Sequence, residues 1–141
     1  MKDMDYQKLL DQRYKQNPFA NLLGIRVTEI KEGFATAEMT VLPEHANPLN
    51  SCHGGVLMTL ADVAAGAASL SLGYYAVTLR SDYNFLHPVS VGTRITAAAK
   101  VEKGGHTINV IRVETMDADK GELVGTGCFT YFKLDREVVI E

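Results

Sequence analysis

The chain has 141 residues, 46% of them hydrophobic, and a formal net charge of −3, which suits one compact domain with an ordinary core and excludes a disordered chain. The slight acidic balance, with Lys and Arg scattered, excludes the basic footprint of a nucleic-acid binder. Cys52 and Cys128 have no metal-ligand or redox spacing and read as two free thiols, so neither a disulfide framework nor a metal site is expected.

Met1 to Gln16 is charged and polar, unlike a signal peptide, and Tyr6, Leu9, Leu10 and Tyr14 recur at helical spacing. The helix that this predicts stops before Asn17-Pro18, since the residue preceding proline is biased away from helix. Residues 1–18 are therefore read as an N-terminal helix attached to one domain over 19–141. Gly24 to Lys31 and Phe34 to Leu42 alternate apolar and polar residues around Glu32-Gly33, which predicts a hairpin. Pro43 to Cys52, with two prolines and two asparagines, is a loop by composition.

From Gly54 or Gly55 to about Leu72 the chain reads as one long helix closed by Gly73. Val56 to Leu72 is too short and too mildly apolar to span a membrane, so a soluble, cytoplasmic protein is expected. Four strand-like runs follow: Tyr75 to Phe85, Arg94 to Glu102, Thr107 to Met116 and Leu123 to Leu134. Short breaks between long alternating strands predict an antiparallel sheet. The fold class is α+β, with the sheet wrapped around the long central helix. That helix is rich in Ala and Gly and has no Lys or Glu face, so it is expected to be buried nearly all round.

Asp62 is the single Asp, Glu, Lys or Arg between His53 and Arg80. A buried carboxylate must find donors, take a proton or face a cavity. Its neighbours at helical spacing, Gly55, Met58, Thr59, Ala65, Gly66 and Ser69, form a small, weakly polar stripe that leaves room for a ligand or another chain. Upstream, His53-Gly54-Gly55 opens the helix, where free amides and the positive end of the dipole suit the oxygen of a polarised carbonyl. Two glycines allow close approach to that backbone. The plain alternatives are an Asp62 that only ties down a loop and a helix start that is glycine-rich for packing.

The run Asn47-Pro48-Leu49-Asn50-Ser51-Cys52-His53-Gly54-Gly55-Val56-Leu57-Met58-Thr59-Leu60-Ala61-Asp62 resembles the motif of hotdog-fold acyl-CoA thioesterases of the phenylacetic-acid-degradation (PaaI-like) type. The likeness extends from about Phe19 to Leu134 through the order of elements. It implies hydrolysis of an acyl-CoA thioester, with coenzyme A as part of the substrate and no further cofactor. It also implies a homodimer whose two sheets join into one, paired again as a dimer of dimers, with the active site between chains. By position, the amide of Gly54, helped by Gly55, would bind the carbonyl oxygen while Asn47 and His53 hold the loop. Asp62 of the other chain would be general base or nucleophile, and Thr78 would contact the carboxylate or the attacking water.

For the nucleotide of coenzyme A, the resemblance points to Gly104-Gly105-His106. There His106 stands where a basic residue is usual, with Lys103 nearby and Arg80 and Lys133 as substitutes; His45 and His87 receive no role. Nine residues of helix span about 13 Å, so a shared thioester would need Gly54 and Asp62 from different chains. An acyl-thioester hydratase and a non-catalytic acyl-CoA sensor are the rival readings on this fold. The acyl pocket is expected from Met58, Tyr74, Tyr75 and Phe85, with residues from a neighbour's N-terminal helix.

Overall fold

In a computed structural model, residues 3–141 are described. The first helix, α1 (Tyr6–Lys15), starts where Asp5 accepts the Lys8 amide, and it buries Leu9. A short helix not expected from the sequence follows, α2 (Pro18–Leu22): the Asn17 side chain accepts the Ala20 amide and Pro18 occupies the first helical turn. Asn17-Pro18 thus ends one helix and caps the next, because proline lacks only an N–H that the first turn cannot use.

Six strands form one sheet: β1 (Arg26–Lys31), β2 (Phe34–Thr40), β3 (Tyr74–Phe85), β4 (Arg94–Gly104), β5 (Ile108–Asp117) and β6 (Glu122–Glu137). Their order is β1-β2-β4-β5-β6-β3, and every neighbouring pair is antiparallel. Between β2 and β3 runs α3 (Gly54–Leu70), which touches all six strands. Its buried Leu57, Leu60, Ala61, Ala64, Ala65 and Ala68 meet Ala35, Ala37, Ala97, Ala99, Ile111 and Val113 of the sheet's inner face. Alanines on both partners bring helix and strands close, and this is the wrapped α+β arrangement that the order of elements predicts.

Polar ties fix the helix ends. The Ser71 hydroxyl donates to the Ala68 carbonyl and accepts the Gly33 amide at 2.9 Å, joining the end of α3 to the β1–β2 turn. Asn109 of β5 donates to Ser69 at 2.9 Å, and Ser69 is 1% exposed. The expected open stripe is therefore shorter than its sequence spacing suggested: Ala65 and Ser69 are in the core, and the partly open residues run from Gly55 to Gly66. Among the described residues no helix is long and apolar enough to cross a membrane.

At one edge of the sheet lies β3, a twelve-residue strand. It exposes Val77 (51%) and Leu79 (62%) beside Phe132 and Leu134 of β6. A long, apolar edge strand is ordinarily paired, covered or blunted by charge.

Candidate active site

Asp62 sits midway along α3, and two hydroxyls from the adjacent sheet meet it. Thr78 on β3 and Tyr131 on β6 are direct cross-strand partners, so both point to the same face. The Thr78 hydroxyl donates to Asp62 Oδ1 at 2.9 Å. The Tyr131 hydroxyl lies 2.5 Å from the same oxygen and 2.8 Å from the Asp62 carbonyl oxygen. Both side-chain donors converge on Oδ1; Oδ2 receives none among the described residues. Burial and the neighbouring Asp62 raise the Tyr131 pKa well above its ordinary value, so that hydroxyl remains a proton donor.

Around Asp62 opens a cleft of about 580 Å³. Met58, Thr59 and Gly66 of α3 form its floor, and Val77, Thr78 and Ser81 of β3 one side. Tyr75 also lines it, while α1 and α2 contribute Arg13, Gln16, Asn17 and Phe19. The residues expected to build the acyl pocket fall in different places within one chain. Met58 and Tyr75 are in this cleft, joined by residues from the same chain's N-terminal helices. Phe85 lies in a different cleft, and the Tyr74 ring is covered by Lys133 Nζ at 4.6 Å.

Arg13 and Tyr131 were not identified from the sequence. Arg13 lies one helical turn beyond buried Leu9, and Tyr131 is an inward-facing position of β6, where a tyrosine needs a partner for its hydroxyl. Those were the available signals.

The His53-Gly54-Gly55 end has a different construction. His53 is the N-cap of α3, and its Nδ1 accepts the Gly55 amide at 2.9 Å, so the neutral ring carries its proton on Nε2. Gly55 therefore spends its N–H on the cap, while the Val56 and Leu57 amides point to the His53 carbonyl. Gly54 is the first-turn residue whose amide has no acceptor among the described residues. A Cβ at Gly54 would stand 3.1 Å from the Phe85 ring. Phe85, Leu86, Pro88 and Gly54 line a cleft of about 330 Å³ distinct from that of Asp62.

Asn47 is tied within its own loop. Its Oδ1 accepts the Leu49 and Ser51 amides at 2.9 and 3.1 Å, and its Nδ2 donates to the Ser51 hydroxyl. The following turn places Asn50 at φ 62, a left-handed conformation that asparagine tolerates. Buried His45 supports the same loop, with Nδ1 accepting the Leu42 amide and its carbonyl accepting the His53 amide. His87 Nε2 lies 2.7 Å from Glu122 Oε1.

Gly105 and His106 occupy the β4–β5 turn, and neither lines the two clefts. The Gly105 amide donates to the Ile108 carbonyl at 2.9 Å, and a Cβ there would stand 2.5 Å from that oxygen, so only glycine fits the turn. Lys133 Nζ reaches the Gly105 carbonyl at 3.3 Å. Arg80 and Lys103 are exposed.

The family model described as "Thioesterase superfamily" matches residues 49–124. The acyl-coenzyme A thioesterase PaaI of Escherichia coli K12 is 38% identical over 104 residues, covering 74% of this chain and 74% of that one. The structure of the E. coli PaaI protein superposes with a TM-score of 0.88 at 31% identity, over 94% of this chain and 95% of that chain.

A hypothetical thioesterase protein from Streptococcus pneumoniae TIGR4, solved with coenzyme A, superposes with a TM-score of 0.77 at 26% identity, over 81% and 88% of the two chains. Alanine variants of that protein are also known, at an aspartate and a threonine separated as Asp62 and Thr78 are. Family match, sequence identity and superposition point the same way: the chain belongs to the thioesterase superfamily, in its PaaI-like hotdog branch, and is a thioester hydrolase.

Proposed function

We propose that the chain hydrolyses acyl-CoA thioesters to free acid and coenzyme A, at sites that each draw on two protomers. The observation that carries this reading is the split between the clefts: the carboxylate with its donors lies in one, and the unspent Gly54 amide in the other. The partner's Gly54 would hold the thioester carbonyl oxygen as it gains negative charge. His53, through its cap, and Asn47, through its loop, would keep that amide aimed.

Asp62 would act through Oδ2, with Oδ1 held by Thr78 and Tyr131. As general base it takes a proton from water while the water oxygen bonds to the carbonyl carbon. The C–S bond then breaks and the coenzyme A sulfur leaves with that proton. As nucleophile it would first form an anhydride, which water opens. Single-turnover hydrolysis in ¹⁸O-labelled water tests the second route: label in Asp62 requires the anhydride, opened by water at the Asp62 carboxyl carbon.

The exposed β3 edge, with Val77 and Leu79, supports pairing of two copies across this strand into one continuous sheet. A further pairing into a dimer of dimers belongs to the same proposal. For the nucleotide phosphates, the β4–β5 turn with Gly105, exposed His106 and Lys103, and Lys133 beside it, is the proposed contact.

The test is thiol release from a panel of acyl-CoAs by the wild type and by Asp62→Asn. The expected loss of turnover is about a hundredfold or more, the size of a lost general base. Undiminished activity in the variant would sink the mechanism. Tight acyl-CoA binding without any hydrolysis would favour the sensor reading instead.

A further inference from the structure

The Asp62 cleft contains a second charge, to which the hydrolytic step as described assigns no role. Arg13 reaches it from α1, and its Nη2 stands 3.1 Å from where a Cβ of Gly66 would be, one turn beyond Asp62 on α3. Among the described residues its guanidinium makes no ion pair and donates no hydrogen bond, and its Nε is both buried and without a partner. An unpaired cation in a partly desolvated place is costly unless a ligand completes it.

We propose that Arg13 binds a carboxylate at the far end of the acyl group, so that the preferred substrates are CoA half-thioesters of dicarboxylic acids. This rests on the hydrolase reading above and names its substrate class. Three observations support it. Coenzyme A is large and multiply charged, so its side of the thioester must leave the cleft for solvent, and the acyl side must fill the interior. The interior is otherwise neutral, since Arg13 and Asp62 are the charged residues lining it. Asp62 already has two hydroxyl donors on Oδ1, which leaves the planar fork of Arg13 free for a second carboxylate, the group it matches best.

The experiment compares kcat/KM for succinyl-, glutaryl-, adipoyl- and suberoyl-CoA with that for methyl-ended acyl-CoAs of equal length, adding an ω-hydroxyacyl-CoA as a neutral acceptor. The wild type should favour the best carboxyl-ended substrate by about ten- to a hundredfold, the size of one charge-assisted contact. Arg13→Met should erase that ratio, and Arg13→Lys, which keeps the charge but not the fork, should retain part of it.

A wild type that prefers methyl ends, treats both alike, or prefers the hydroxyl to the carboxylate overturns the proposal. So does an Arg13→Met variant that lowers both arms equally, which would mean Arg13 acts through Asp62. Absence of hydrolysis across the whole panel would be a different failure, that of the hydrolase reading itself. The wild-type panel decides the matter even if a variant folds poorly.

Discussion

The two ends of the proposed site are built on opposite plans. Around Asp62, side chains from α1, α3, β3 and β6 converge, and their hydroxyls are committed to one carboxylate oxygen. Around Gly54 the side chains are spent on one another: Asn47 on its loop, His53 on the Gly55 amide, His45 on Leu42 and, through its carbonyl, on His53. What remains for a ligand there is the backbone amide of Gly54, with the Nε2–H of His53 beside it. The proton-handling end needs a tuned side chain, while the electrophile end needs a rigid dipole, and the fold supplies each from the elements suited to it.

The largest expected effect tests whether the two ends belong to different protomers. Asp62→Asn and Gly54→Val should each be nearly inactive, the second because its side chain would press on Phe85 and block the amide. Co-refolded in equal amounts, they should recover about a quarter of wild-type activity: half the dimers are mixed, and each mixed dimer has one intact site of two. If both ends acted within one chain, no mixed dimer would contain an intact site. No recovery, with mixed dimers demonstrated by native mass spectrometry, breaks the comparison as drawn.

A smaller effect is expected at Tyr131. Tyr131→Phe removes a donor to a charged acceptor, about 1.5–3 kcal/mol of interaction, so kcat/KM should fall by roughly ten- to a hundredfold if that bond persists in the transition state. The same substitution has a pH signature. Because burial and Asp62 raise the folded-state pKa of Tyr131 above the unfolded value of 10.0, its contribution to stability is complete below that pH. It is then lost as pH rises further, since the unfolded chain gives up the proton first. Denaturant titrations from pH 9 upward should therefore be less steeply pH-dependent for Tyr131→Phe. Cys52, which burial raises to about 11, contributes to both proteins alike. Identical slopes would show that Tyr131 is not held as described.

The contrast between the two ends also explains what could be read in the sequence. The Gly54 end is local: cap, glycines and loop lie within nine residues, and turn chemistry identifies them. Six strands and α3 followed from alternation and from the Gly and Pro boundaries, to within a residue or two at most ends. Asp62 stood out because it is the single charge in an alanine-rich helix.

Its partners did not stand out, because Tyr131 lies 69 residues away and reaches Asp62 only through the placement of β6 beside β3 and the register Thr78↔Tyr131. Arg13 depends on how α1 packs, which its own periodicity leaves open. The α2 helix was hidden for a different reason: Asn17-Pro18 carries a stop signal and a start signal at once.

The smallest effect sharpens the Asp62 end specifically. Gly66 is inside α3, where glycine costs about 1 kcal/mol relative to alanine. An added Cβ would stand 3.1 Å from Arg13 Nη2 and 3.4 Å from the Tyr131 hydroxyl. The first contact is with the free end of a flexible side chain, which can withdraw; the second is ordinary van der Waals distance. Gly66→Ala should therefore raise stability by up to about 1 kcal/mol, visible as a higher urea midpoint with an unchanged slope. It should also displace the guanidinium and weaken the preference for carboxyl-ended acyl groups. A destabilised Gly66→Ala would mean that Arg13 is clamped in place, and its open hydrogen-bonding capacity would then be a packing constraint with no ligand to satisfy it.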